Sequence, residues 1–177
     1  VHMEFNASSS QLLEITADSL VLSTGSKLEN VAKEIDAVLN GAITSLITSG
    51  DFSGKASETC VLRNLNMPFK RIILLGTDGA SSPQKIIKAI EAGASAVFKT
   101  PAVNVVWAAD GLAKDHHWQA SIIARSTITA AYNYSGTGKK PEPKKLKMTT
   151  YWCASESDSD AAENGLNYGG AVGNGMN

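Results

Sequence analysis

The hydrophobic pattern of the chain switches repeatedly between the period of a strand and that of a helix. Residues 19–22 read as a short strand that stops at Thr24-Gly25. Leu28, Val31, Ile35, Val38, Leu39, Ala42 and Leu46 then recur at helical spacing, which predicts one helix over 26–49. Ser26 with Glu29 three positions on is a capping-box pattern, in which side chain and backbone satisfy each other's orphan N–H groups. Gly50 supplies the usual glycine after the last turn. Residues 59–65 are rich in β-formers, and Pro68 breaks that pattern. The run RIILLG, 71–76, is continuously apolar and suits a strand buried on both faces. Ser82-Pro83 opens the next helix, with Ser as N-cap and Pro at the first position. Its stripe is Ile86, Ile90, Ala94 and Val97, and Thr100-Pro101 closes it. Residues 103–109 give a second buried-strand pattern. Asp115 can cap a helix over 116–134, with Trp118, Ile122 and Tyr132 on or near one face. Residues 147–153 read as a further strand, whereas 3–15 are weakly patterned and predict no element. Strands alternating with helices imply a layered α/β sandwich with helices on both faces.

Residues 155–177 differ in character. Ser and Asp open a helix there, followed by Gly165, Gly169 and Gly173 at four-residue spacing. Each glycine costs an isolated helix about 1 kcal/mol relative to alanine. The spacing makes a smooth groove for another backbone, so this segment is expected to pack on something outside the chain. The pattern breaks off at Asn177 without a C-cap, as in a truncated polypeptide. Val1 and His2 read as a tag remnant ahead of a native start at Met3.

Composition narrows the function classes. A chain of 177 residues can bury a core without staples, as one domain or one domain with an appendage. With 43% hydrophobic and 19% charged residues and a net charge of −1, no large field of one sign points to DNA or to anionic membrane. There is no apolar run of spanning length and no signal-peptide core, so a cytoplasmic location is expected. Cys60 and Cys153 have neither zinc spacing nor a disulfide framework, and read as buried free thiols in a reducing compartment.

Four stretches, in order, resemble the N-terminal domain of the leucyl aminopeptidase family. Residues 28–59, LENVAKEIDAVLNGAITSLITSGDFSGKASET, resemble its first long helix and the G-x-x-G-K turn after it. RIILLGTD, 71–78, resembles its central strand. KKLKMTTYW, 144–152, resembles the strand that ends the domain. AENGLNYGGAVGNGMN, 162–177, resembles the connecting helix toward the catalytic domain. The resemblance covers nearly the whole chain and implies a three-layer α/β/α sandwich with a mixed sheet, similar to a macro domain. It implies a domain over 3–154 and the start of the connecting helix over 155–177. In the family, the following domain binds two divalent metals, zinc or manganese, through carboxylates and a lysine, and removes N-terminal residues from peptides. The family's D-L-G-N-x-P segment is not in this chain, so no catalytic, cofactor-binding or metal residue carries over. The implied partners are the chain's own catalytic domain and sister subunits of a homohexamer.

Three clusters are candidates for chemistry of their own. Asp110, Asp115, His116 and His117 lie near a strand end. Adjacent histidines at a helix start point apart, so a solvated loop with a helix cap is the preferred reading over a two-metal site. The loop GTDGASS, 76–82, lies between a buried strand and a helix N-terminus, where a phosphate or ADP-ribose could bind. It lacks the P-loop lysine and G-x-G-x-x-G, so a plain tight turn is preferred. Lys139, Lys140, Lys144, Lys145 and Lys147 form a basic run that could touch DNA, as some bacterial family members do, but no aromatics interleave it. The leading expectation is a non-catalytic assembly and regulatory domain of a metalloaminopeptidase. A macro-type nucleotide-binding module and a DNA-binding accessory domain are the alternatives.

Overall fold

Side chains alternate across a central sheet so that both faces are buried, which is why RIILLG is apolar without interruption. The computed structural model describes residues 3–110, 112–135 and 146–173. Among them the strands are β1 (Glu4–Ser8), β2 (Ser19–Thr24), β3 (Thr59–Arg63), β4 (Arg71–Gly76), β5 (Asn104–Ala108) and β6 (Met148–Trp152). The helices are α1 (Asn30–Val38), α2 (Ala42–Ser49), α3 (Pro83–Phe98), α4 (His116–Ser135) and α5 (Glu156–Gly173). The sheet order is β1-β6-β5-β2-β4-β3, with β3 antiparallel to β4 and the other pairs parallel. Val21, Ile73, Trp107 and Tyr151 face a core shared with α3, α4 and α5. Leu20, Leu22, Ile72, Leu74 and Val106 face the opposite core, shared with α1 and α2. The result is the expected three-layer α/β/α sandwich with a mixed sheet.

Asp18, just before β2, ties the three central strands together at one end. Its Oδ2 accepts the backbone N–H groups of Val103 and Asn104, both at 3.0 Å, at the start of β5. Its Oδ1 accepts Arg71 Nη1 at 3.0 Å and the Ser19 hydroxyl at 2.7 Å. Its carbonyl accepts the N–H groups of Lys70 and Arg71 as β4 begins. Both side chains of the Asp18–Arg71 pair are largely buried.

Several expectations need correction. The single helix over 26–49 is two helices. Asn40 (φ 54°) and Gly41 (φ 81°) take left-handed backbone between them. The Asn40 N–H bonds Ala37 C=O and the Gly41 N–H bonds Asp36 C=O, the closing pair of a Schellman turn. The buried Asp36 carboxylate then caps α2, accepting Ile43 N–H at 2.8 Å and the Thr44 hydroxyl at 2.6 Å. The capping box at Ser26 does not form. The N-cap of α1 is Glu29, without a side-chain bond, and the Ser26 N–H donates instead to Asp78 Oδ2 at 2.8 Å. The unpatterned start of the chain contains β1, an edge strand whose Ala7 N–H is capped by Glu163 Oε2 of α5 at 2.6 Å. Phe5 and Ala7 alternate with Glu4, Asn6 and Ser8 and pack on the core from one face, but two apolar positions in five residues are too short a run to predict a strand. Tyr132 is 54% exposed and lies off the buried face of α4.

The glycine face of the tail packs inside this chain, on α4, and not on something beyond it. A Cβ at Gly165 would overlap the His117 carbonyl, and one at Gly169 would overlap the Ser121 carbonyl. A Cβ at Gly173 would come 3.1 Å from Ile128 Cδ1. The two backbones touch where the sequence has no side chain, and Ala162 and Leu166 join the core beside them. Thus α5, expected as the start of a connecting helix, is seated on α4.

These contacts predict a distinctive stability pattern in urea unfolding. Asp18→Ala should lose about 3 kcal/mol, because it strands a largely buried guanidinium. Gly169→Ala should lose about 2 kcal/mol through overpacking, despite its better helix propensity. Gly170→Ala, whose Cβ would meet nothing within 4 Å, should instead gain about 0.5 kcal/mol. Equal effects at 169 and 170 would mean that α5 is not seated on α4.

Candidate functional site

The chain lays β4 on one side of β2 and β5 on the other, a topological switch that opens a crevice at the strands' carboxyl ends. The crevice holds about 180 Å³ and is lined by residues that include Thr24, Gly25, Lys27, Glu29, Asp78 and Asp110. Its walls are locked by backbone. Thr77 N–H donates to Thr24 C=O at 3.1 Å and Asp78 N–H to Gly54 C=O at 2.9 Å. The Asp78 carboxylate lies against Gly25, where any Cβ would overlap it. Nearby, Glu58 Oε1 gathers the Ser53 hydroxyl at 2.7 Å and the Ser53 and Gly54 N–H groups. The Ser53 hydroxyl first, helped by these backbone donors, holds the Glu58 carboxyl below its usual range.

The crevice is poorly suited to an anion. Three carboxylates, Glu29, Asp78 and Asp110, line it against one ammonium, and Lys27 is itself 3.7 Å from Glu29. The GTDGASS loop forms one wall, but four of its backbone donors are engaged at home. Thr77 and Asp78 donate as above, Ala80 donates to Thr77 C=O, and Ser81 to Gly79 C=O. The Ser82 hydroxyl caps α3 through Lys85 N–H at 3.3 Å.

Of Asp110, Asp115, His116 and His117, the structure brings Asp110 and His116 to one cleft and turns the other two away. Asp115 caps α4 by accepting Trp118 N–H at 3.0 Å. The His117 ring turns to Tyr168, at 6.2 Å between centroids. The His116 ring places Nδ1 2.8 Å from the Tyr151 hydroxyl and Nε2 3.5 Å from Asp158 Oδ2. Gln119, fully buried, donates to the same hydroxyl at 2.7 Å and to Ala109 C=O at 3.0 Å. Asp110, His116, Lys114 and Asp158 edge a second cleft of about 450 Å³. Burial raises the Asp110 carboxyl, His116 opposes this and Asp158 adds to it. Burial likewise raises the Tyr151 phenol. Tyr151, Gln119 and Asp158 were not legible as a group, because they come from β6, α4 and α5, and only the packing of α5 joins them. Among the described residues no set of three or more His, Cys, Asp or Glu side chains could hold a metal ion. The donors present therefore do not fit a two-metal centre. Of the lysine run, Lys139, Lys140, Lys144 and Lys145 lie outside the described residues. Lys147 is exposed, and its backbone pairs with Val103 and Glu4.

Both cysteines are free thiols, Cys60 half-buried and Cys153 buried. Burial first, then Asp110 and Asp158, pushes the Cys153 thiol up to about 11. Burial, with Glu58 and Asp51, also raises Cys60. A disulfide reagent such as DTNB at pH 8 should therefore label Cys60 well before Cys153, read with the single Cys→Ser variants. A thiol whose folded pKa is raised favours the folded state while protonated. Its contribution is thus complete below its ordinary 9.0 and falls as pH climbs from there toward about 11. Cys153→Ala should flatten that part of the alkaline stability profile, and an unchanged slope would remove Cys153 as its source.

No helix among the described residues is long and apolar enough to cross a membrane. A sequence profile described as "Cytosol aminopeptidase family, N-terminal domain" matches residues 20–141. A probable cytosol aminopeptidase of Pseudomonas paraeruginosa is 30% identical over 98% of this chain, and the match spans 37% of that relative's length. Among solved structures, tomato leucine aminopeptidase superposes with a TM-score of 0.77 at 23% identity, covering 98% of this chain and 36% of that one. An Oceanobacillus iheyensis macrodomain with ADP superposes with a TM-score of 0.65 at 13% identity, covering 92% of this chain and 89% of that one. At such identity the structural matches speak for the fold alone. The profile and the sequence relative speak for ancestry: the chain belongs to the cytosol aminopeptidase family and corresponds to its N-terminal domain.

Proposed function

We propose that the chain is the non-catalytic assembly and regulatory domain of a two-metal leucyl aminopeptidase that removes N-terminal residues from peptides in the cytoplasm. The observation that carries this reading is the match itself, which takes in nearly all of this chain but only 37% of the relative's length. The chemistry then belongs to the remaining length, together with its two zinc or manganese ions. The donor geometry is consistent with the same division, since among the described residues no three His, Cys, Asp or Glu side chains are placed to hold a metal ion. The seated helix α5 gives the domain a rigid exit toward a catalytic domain, and the partners are that domain and sister subunits of a homohexamer. The test is hydrolysis of leucine p-nitroanilide by the 177-residue chain with Mn²⁺ or Zn²⁺ added. No turnover above the metal blank is expected, and metal-dependent turnover that resists further purification would overturn the reading.

A macro-type nucleotide-binding module is the second reading, favoured by the crevice at the switch point and by the fold shared with a macrodomain that binds ADP. Against it stands Asp78, whose carboxylate already accepts the Ser26 N–H that a phosphate would seek. ADP-ribose at millimolar concentration should leave the thermal midpoint unchanged. A saturable rise of several degrees would restore this reading, because a ligand that binds only the folded state stabilises it.

A further inference from the structure

At the end of the sheet opposite the crevice, the hairpin between β3 and β4 closes with an unusual pairing. Arg63 and Arg71 are direct partners across the antiparallel ladder. Like charges so placed repel one another and destabilise the pair. Only one is compensated. Arg71 is held through Nη1 alone, which donates to Asp18 Oδ1 at 3.0 Å and to Ser19 Oγ at 2.8 Å. Its Nε and Nη2 make no hydrogen bond among the described residues, although the side chain is only 12% exposed. The Asp18 carboxylate is already committed, with Oδ2 taken by Val103 and Asn104 N–H. Arg63 and Lys70 are exposed and make no ion pair among the described residues. Arg63, Asn64, Leu65, Lys70 and Arg71 line an open cleft of about 390 Å³. Its lining carries three cations and no carboxylate, in a chain whose net charge is −1.

The geometry points to a binding site for a small phosphate oxyanion in this cleft. Arg71 is its fixed wall: Asp18 and Ser19 hold one guanidinium nitrogen and leave a preorganised pair of donors, the arrangement that suits two oxygens of one anion. Arg63 and Lys70 are the adjustable donors, and a dianion between them removes the repulsion across the ladder. With Arg71 already paired to Asp18, two uncompensated charges remain, and a tetrahedral dianion matches them better than a single planar carboxylate does. The site is independent of the assembly role and of the crevice, because it uses neither α5 nor the carboxyl ends of the parallel strands.

The test is calorimetric titration of the 177-residue chain with inorganic phosphate and, separately, with glycerol 3-phosphate, against sodium chloride at matched ionic strength. Saturable binding is expected that chloride does not reproduce. Arg63→Ala and Lys70→Ala should each weaken it by about fivefold or more, since each removes a charge-assisted donor at a partly exposed site. Neither variant should lower the parent's thermal midpoint without phosphate, and Arg63→Ala should raise it slightly, because it relieves the repulsion across the ladder. Tighter binding of the ester identifies a phosphate monoester as the occupant, and tighter binding of inorganic phosphate identifies the free ion. Heat indistinguishable from chloride, or binding unchanged in the double variant, would overturn the site. So would binding of a short DNA duplex at low salt with no saturable response to inorganic phosphate, which would mark the patch as a general polyanion surface.

Discussion

The Asp18 carboxylate is the constraint on which the geometry of the sheet depends. A parallel sheet is built from contacts far apart in sequence, and nothing local fixes the register of one strand against the next. Asp18 supplies that reference by bonding the beginnings of β4 and β5 from the beginning of β2. With the three origins fixed, the strands end together, and the loops at 24–27, 76–79 and 109–110 meet. The crevice at the far end is thus a consequence of an ion-pair network at the near end. An Asp in that position must be paired or the buried Arg71 is left alone, and removal of one partner of such a pair is far more damaging than replacement of both.

The second organising contact is the approach of α5 to α4. Two helices with ordinary side chains stand 8–10 Å apart. Gly165 and Gly169 instead place α5 on the carbonyls of His117 and Ser121. This proximity lets Asp158 reach His116 and lets Glu163 reach the N–H of Ala7 on the edge strand. One helix therefore closes the core over β6, shields an unpaired edge, and completes the Tyr151–His116–Asp158 contact. A segment whose glycines look destabilising in isolation becomes part of the core because its partner is already in the chain.

Elements that bury two faces or carry a strong cap were legible in the sequence. RIILLG, Ser82-Pro83 and Asp115 each state their structure through local chemistry, and the strands and helices stand where those signals fall. The misreadings share a cause. The helix over 26–49 kept its apolar period through Asn40-Gly41, so the periodicity concealed a Schellman turn and a buried Asp36 that caps the second half. Ser26 and Glu29 had the right spacing for a capping box, but Asp78, distant in sequence, competes for the Ser26 N–H and wins. β1 alternates correctly but offers only Phe5 and Ala7 as its apolar face, too short a run to stand out. The glycine spacing correctly signalled a close backbone approach, and only the identity of the partner was out of reach. The crevice was legible in part, since the GTDGASS loop supplies one wall, whereas the basic cleft lies within one hairpin whose charges meet only when the ladder pairs Arg63 with Arg71.

The charge arrangement of the sheet's two ends bears on what the domain can do. In open α/β folds anions bind at the carboxyl ends of the strands, where loop amides and helix N-termini point outward. Here that end carries Glu29, Asp78 and Asp110, and the amides of Thr77, Asp78, Ala80 and Ser81 after β4 are spent on neighbouring carbonyls. The opposite end carries Arg63, Lys70 and Arg71. The fold is retained while the polarity of its ligand-facing end is reversed, so a shared architecture is poor evidence for a shared ligand. Asp78 takes the Ser26 N–H with its carboxylate and bonds Gly54 C=O and Ala56 N–H with its backbone, a rigid junction between the loops at 24–27, 53–56 and 76–79. Rigidity at that junction is of more use to a module that positions a neighbouring domain than to one that must open for a nucleotide.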